Sequence, residues 1–424
     1  MSGGRWRRLA AALAIAGALM SALPGCRGAG PRAVPPTDDH WLVVWAEDAD
    51  RRQSDFLAII DPDGKVVRTI PVKSAGNVPQ GLNSEMRRDR LVFATGARTN
   101  RTFVFDLRDP RKGTLVAVDD PGASRPLAGP RGVATVPGGR AIVACADATG
   151  FSGTPQEVLQ SQGGLRVFGD DGRFVQDVPA HDRAARGFIV APAGIAVHPG
   201  LRRLVTTSEG HGFAPTARGE MVPGMTVQLW SIAGPTFEKN LVLPAGPRGE
   251  ENLAPRTPAF LHRKPALVVN ANQGGGIFVS ETMDLADPLF LLAKDYGASA
   301  RPDGAAVTPD DRFYVTALAG VGRVVSLSLD DLHKVREVSS LSVGDAGRDA
   351  PLALSLDGRR IAVADGRRVR RVAFDPGTGR MRLDGSFRDE QTGEPGVDFD
   401  RTTWPHGETG PARPRALLFV APGD

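Results

Sequence analysis

The chain has 424 residues, 41% of them hydrophobic and only 6% aromatic, so a sizeable core is available but has to be built from Val, Leu, Ala and Ile. Its formal charge of +4 falls to +1 once Arg5, Arg7 and Arg8 are set aside, and no basic stripe with interleaved aromatics occurs, which speaks against a nucleic-acid partner. The two cysteines, Cys26 and Cys145, form no Cys-x-x-Cys pair, and Gly-x-Ser-x-Gly, His-Glu-x-x-His and phosphate-cradling glycine loops are absent, which removes the common enzyme signatures.

At the N-terminus, Arg5-Trp6-Arg7-Arg8 precedes an apolar stretch from Leu9 to Leu23, and Leu23-Pro24-Gly25-Cys26 follows. The apolar stretch is shorter than the ~20 residues of a membrane span, and small residues stand just ahead of the cysteine, which is the form of an export signal. The Leu-x-Gly-Cys ending is similar to the bacterial lipobox, where the cysteine is acylated and becomes the mature N-terminus. The expectation is a signal peptide over 1–25, lipid on Cys26, a flexible tether over 26–38 and one folded domain over 39–424. Soluble secretion or an uncleaved anchor is the alternative. Lipidation would place the protein in a bacterial cell envelope, periplasmic or surface-exposed, with its lipid as the membrane contact.

From Trp41 onward one pattern recurs: Pro-x-Gly-apolar or a worn version, a tight turn, an arginine, then β-branched residues. It reads Pro79-Gln80-Gly81-Leu82 before Arg90-Leu91-Val92, Pro130-Arg131-Gly132-Val133 before Arg140-Ala141-Ile142, and Pro192-Ala193-Gly194-Ile195 before Arg203-Leu204-Val205. Later copies are Thr257-Pro258-Ala259-Phe260, Pro302-Asp303-Gly304-Ala305 and Pro351-Leu352-Ala353. Each copy continues with a third and a fourth short apolar segment, and dipeptides such as Asp63-Gly64, Asp171-Gly172 and Asp357-Gly358 separate them, which is hairpin punctuation. No long stretch has a helical period. Repeated four-strand units that cannot bury their apolar faces alone predict an all-β, seven-bladed β-propeller. The first unit, starting at Trp41-Leu42-Val43-Val44-Trp45, lacks an innermost strand, and Ala416 to Val420 is the predicted strand that closes it.

In such a ring, second-to-third and blade-to-blade connections share one face. The long loops at 146–163, 180–190, 208–225, 244–256 and 385–413 all fall on it, and with them His181, His211, His406, Asp147, Glu209, Glu250, Glu251 and Arg413. Imidazoles with carboxylates on loops suit copper, zinc or iron, so His181, His211 and His406 are the candidate metal ligands. His198 and His262 fall in short turns of the opposite face and are expected to be exposed. Cys145, within a strand, is expected to be a buried structural thiol.

The stretch from Arg203 to Val343 resembles the selenium-binding protein and methanethiol oxidase family of seven-bladed propellers. The likeness is carried by Leu204-Val205-Thr206-Thr207-Ser208-Glu209-Gly210, Val227-Gln228-Leu229-Trp230, Phe260-Leu261-His262, Thr308-Pro309-Asp310-Asp311-Arg312-Phe313-Tyr314-Val315, and Val335-Arg336-Glu337 before Leu341-Ser342-Val343-Gly344, with Trp404-Pro405-His406-Gly407-Glu408 near the end. The resemblance implies the propeller fold and, for members active as oxidases, a copper centre held by histidines near the starts of inner strands. This chain departs there. Where the family has Pro-His-x-x-His-His it has Pro79-Gln80-Gly81-Leu82-Asn83-Ser84, where the family has Arg-Pro-His-x-x-His-Cys it has Arg125-Pro126-Leu127-Ala128-Gly129-Pro130-Arg131, and Arg415 replaces a further histidine. The sequence therefore favours a lipid-anchored, non-catalytic module binding a protein or small-molecule ligand on its long-loop face. A copper-dependent oxidoreductase related to methanethiol oxidase is the alternative.

Overall fold

A computed structural model describes residues 40–83, 91–122, 124–148, 162–180, 190–211, 222–345 and 347–420. These residues form seven blades of four antiparallel strands each, in chain order in every blade but the first, with Val397–Asp398 added to one blade and Thr403–Trp404 pairing with Gly407–Glu408 outside the blades, so the repeat of the sequence is one blade of a seven-bladed β-propeller. The innermost strands are Pro79–Leu82, Leu127–Thr135, Pro192–His198, Pro255–Phe260, Pro302–Val307, Leu352–Leu354 and Ala412–Val420. Successive inner strands are neighbours all the way round, and Ala412–Val420 lies between Leu352–Leu354 and Pro79–Leu82.

Blade one closes as the sequence predicts. Its order outward from the channel is Ala412–Val420, Trp41–Asp48, Phe56–Ile60 and Val66–Pro71, with Trp41 opposite Val420 and Trp45 opposite Ala416. Pairing continues past a bulge at Trp45/Ala46 to Asp48 opposite Ala412. The core lies between blades. Trp45 packs on Phe103 of blade two with ring centroids 5.4 Å apart and donates its indole N–H to the Thr95 carbonyl at 2.9 Å.

The repeated Pro-x-Gly has a specific job. Several inner strands carry a register shift at this motif, as between Pro79 and Leu82, Pro192 and Gly194, and Pro302 and Ala305. A β-carbon on Gly81 would collide with the carbonyl oxygen of Arg131, and one on Gly194 with that of Arg256, so glycine lets adjacent inner backbones meet. A side chain from the second strand then latches the joint. Gly81 N–H donates to Thr95 Oγ1 at 2.9 Å, and that hydroxyl donates to the Arg131 carbonyl at 2.5 Å. Gly194, Thr207 and Arg256 repeat the arrangement at 3.2 and 2.8 Å. In blade five Asn270 takes over, accepting from Thr257 N–H at 2.8 Å and donating to the Asp303 carbonyl. This corrects the sequence alignment of that copy: Pro255-Arg256-Thr257, not the stretch at Pro258, stands at the joint, because the register shift falls between Pro255 and Pro258.

The segment 385–413, expected as an open loop on the long-loop face, is instead a clasp between blades seven and one. Phe387, Phe399 and Trp404 are buried with Phe56, Leu417 and Phe419, and Val397–Asp398 pairs with Arg368–Phe374. The Arg401 guanidinium bonds Asp389 inside it, and Arg388 N–H reaches the Asp63 carbonyl at 2.9 Å. Deleting residues 415–424 removes Leu417, Leu418, Phe419 and Val420 from the core, each worth ~1.5–3 kcal/mol. That loss rivals the ~5–15 kcal/mol of a typical protein, so the truncated chain should lose its cooperative unfolding transition in calorimetry; a melting curve like that of the full chain would refute closure by this strand.

Candidate functional site

The residue that follows the proline of each joint motif lies on its inner strand, toward the long-loop end. These positions are Gln80, Arg131, Ala193, Arg256, Asp303, Leu352 and, in blade one, Arg415. Four are charged, and they converge. Arg131 Nη1 lies 3.8 Å from Glu209, whose other oxygen is 3.8 Å from Arg256 Nη1. Arg256 Nε lies 3.1 Å from Asp303 and its Nη1 2.9 Å from Asp349. Asp349 reaches Arg415 Nη1 at 3.0 Å, Arg415 Nη2 bonds Glu47 at 2.6 Å, and Glu47 accepts from Arg51 Nε at 3.0 Å. Alternating charges thus run across blades three, four, five, six and one at the long-loop face.

The network is not evenly balanced. Burial pushes the Asp303 carboxyl above its usual range; Arg256 opposes this, while the charges of Asp349 and Glu209 add to it. Burial also works against ionisation of Asp349, but Arg256, Arg415 and Arg301 outweigh it and hold that carboxyl below its usual range. Asp147, at the end of the second strand of blade three, is raised by burial against the attraction of Arg131. Two guanidinium groups have unspent hydrogen-bonding capacity: Nε of Arg131 and Nε of Arg301 are buried without a partner. Partly exposed ion pairs add only ~0–1 kcal/mol to stability, so stability alone is a weak reason to gather so many charges at one mouth.

The expected metal ligands are placed as follows. His181 lies outside the described residues. His211 is described by its backbone, opposite Val222 at the end of the second strand of blade four. His406 lies in the clasp against Phe56, with Nδ1 2.6 Å from Thr69 Oγ1 on the outermost strand of blade one; its Nε2 is buried without a partner, and burial lowers its pKa. Among the described residues no three His, Cys, Asp or Glu side chains come together as a metal-ligand set.

Glu251, one of the long-loop carboxylates, is fully buried and folds its own loop, accepting from the N–H groups of Arg248 at 2.6 Å and Glu250 at 3.0 Å. His198 and His262 do sit in opposite-face turns; His262 is exposed as expected and His198 is half-buried, and both also brace blades. His198 Nδ1 accepts from Leu201 N–H at 3.1 Å and its ring packs edge-on to Phe260 of blade five. His262 meets Asp311 of blade six at 2.9 Å. Sequence reasoning passed over Arg131, Arg256, Asp303, Asp349 and Glu47, and noticed Arg415 only as a replaced histidine. For Arg131, Arg256, Asp303 and Arg415 the signal available was the variable residue after the proline of the repeat; Asp349 and Glu47 lie outside that position.

No family model and no curated protein sequence matches the chain. Solved structures do match. A hypothetical selenium-binding protein from Sulfolobus tokodaii superposes with a TM-score of 0.70 at 14% identity, over 91% of this chain and 94% of that one. A periplasmic gluconolactonase of Pseudomonas aeruginosa gives 0.61 at 16% identity, over 90% and 99%. Hydrazine synthase of Kuenenia stuttgartiensis gives 0.51 at 15%, over 78% and 89%. The likeness is one of fold, and three such different names on one scaffold show why the site has to carry the functional argument.

Cys145 is fully buried beside Arg166, whose guanidinium binds Asp177 at 2.9 Å. Burial pushes its thiol up to about 12, with Arg166 opposing. The thiolate is the reactive form, so iodoacetamide at pH 8 should leave Cys145 unmodified in the native protein and alkylate it after unfolding. Rapid native labelling would show that the thiol is open to reagents.

Proposed function

We propose that this chain is a lipid-anchored, extracytoplasmic binding propeller that takes a small anionic ligand, a carboxylate or phosphate, at its channel mouth. The carrying observation is the convergence of Arg131, Arg256 and Arg415 from three different blades, with the Arg131 Nε buried and unpartnered and its nearest carboxylate beyond hydrogen-bond range. A planar guanidinium whose donors are unspent recognises an oxyanion geometrically as well as by charge. The neighbouring carboxylates then set orientation and reject ligands that lack a matching donor. Attachment through Cys26 rests on the signal-like N-terminus ending in Leu23-Pro24-Gly25-Cys26.

Titration calorimetry of citrate and inorganic phosphate into the protein tests the site. Binding should fall at least tenfold in Arg131→Gln, matching the ~1.5–3 kcal/mol of a hydrogen bond to a charged group, with unchanged melting. The sign of the pH effect follows from Asp147 and Asp303. Both are raised, so as pH falls toward their range they take up protons before Asp349 does, the mouth loses negative charge beside Arg131 and Arg256, and anion affinity should rise. Absence of binding by either anion, or equal binding by Arg131→Gln, would overturn the reading.

A further inference from the structure

The first described residue, His40, lies on the face opposite the charged mouth. Residue 40 precedes Trp41, which pairs with Val420 at the far end of blade one from Glu47 and Arg415. His40 sits beside Asp357 and Arg360, in the hairpin that joins the first two strands of blade seven. The described chain therefore begins, at His40, on the hairpin face. Thirteen residues separate Cys26 from His40, a covalent reach of at most ~45 Å.

That same face carries an ordered apolar projection. The connection between the third and fourth strands of blade five, 281–290, exposes Leu285 by 51% and Leu289 by 70%, the latter being the most exposed large hydrophobic side chain among the described residues. These leucines do not hang on a loose loop. Met283 and Phe290 are buried beneath them, Leu289 N–H donates to Thr282 Oγ1 at 2.9 Å, and Arg203 Nη1 donates to the carbonyls of Met283 and, at 2.6 Å, Leu285. Exposed basic residues flank the projection. Arg202 neighbours the Arg203 clamp, and Arg263 and Lys264 lie in the turn whose Pro265 carbonyl accepts from Met283 N–H at 3.0 Å. Of the three acidic residues in the loop, Glu281 lies 2.9 Å from His333 Nε2, Asp287 is paired with Lys239 at 2.6 Å, and Asp284 is exposed.

We infer that this corner of the hairpin face is a membrane-docking surface, with Leu285 and Leu289 entering the headgroup and acyl boundary of an anionic bilayer and Arg202, Arg263 and Lys264 meeting lipid phosphates. The inference rests on the anchored reading above, because a short tether converts a weak second contact into an intramolecular one. Each buried leucine contributes roughly a tenfold factor, and each basic residue near an anionic surface roughly fivefold. Docking in this way turns the charged mouth outward from the bilayer, toward soluble ligands.

The test uses the full, exported chain on vesicles of phosphatidylglycerol and phosphatidylethanolamine, spin-labelled at Leu289→Cys or, as a mouth-face control, at Val321→Cys. The label at 289 should be relaxed by lipid-dissolved oxygen and shielded from an aqueous nickel chelate, and the label at 321 should behave oppositely. Without the anchor, in Cys26→Ala, the pair Leu285→Ser and Leu289→Ser should weaken binding to the same vesicles at least tenfold; both side chains are exposed, so folding is spared. A floating protein whose 289 label stays in water overturns docking and leaves the anchor standing. Equal flotation of Cys26→Ala and its parent overturns the anchor, while a lipid-buried 289 label still supports docking. If neither form floats, both readings fall.

Discussion

Everything in this molecule depends on how closely the inner backbones approach one another around the channel. At Gly81 and Gly194 the carbonyl of the next blade occupies the space a β-carbon would need. A Thr hydroxyl bridges each of these contacts, taking a proton donor from its own blade and giving one to the neighbour. The joint is therefore a buried polar one in which both backbone groups are satisfied, and an unsatisfied group there would cost ~1–3 kcal/mol. The apolar cores between blades supply most of the stabilisation, but these joints fix how far each sheet stands from the axis.

The same joint aims the site. The carbonyl held by each latch belongs to the variable residue of the next blade, Arg131 after Thr95, Arg256 after Thr207 and Asp303 after Asn270. Fixing that peptide fixes where the side chain leaves the backbone, so ring closure and the geometry of the charged mouth are one constraint. Arg415 joins through the closing strand, and Asp349 through the connection into blade seven. A scaffold of this kind keeps its backbone contacts while the middle residue of each repeat varies.

The architecture was legible in the sequence because it is local and repeated. Proline, glycine, turn and β-branched run recur within each blade, and the missing inner strand before Trp41 pointed to Ala416–Val420. The site was less legible because its side chains meet across more than 360 residues of chain, as Glu47 and Arg415 show, and nothing local distinguishes a converging arginine from a solvated one. Loop length was a poor guide as well. The stretch 385–413 looked like the longest open loop, yet Phe387, Phe399 and Trp404 mark it as core, and His406 went with it to the flank of blade one. In blade five the eye fixed on Pro258, whereas the latch to Asn270 shows that Thr257 stands where glycine stands elsewhere.

The most direct measurement is thermal unfolding of Gly194→Ala beside Gly234→Ala, the latter in a turn where an added β-carbon meets nothing. The account predicts that Gly194→Ala loses ~3 kcal/mol or more, at the upper end of what overpacking costs, and that Gly234→Ala unfolds like the parent. Equal stability of the two variants would mean that the inner strands have room to separate, and would contradict the claim that their contact sets the ring.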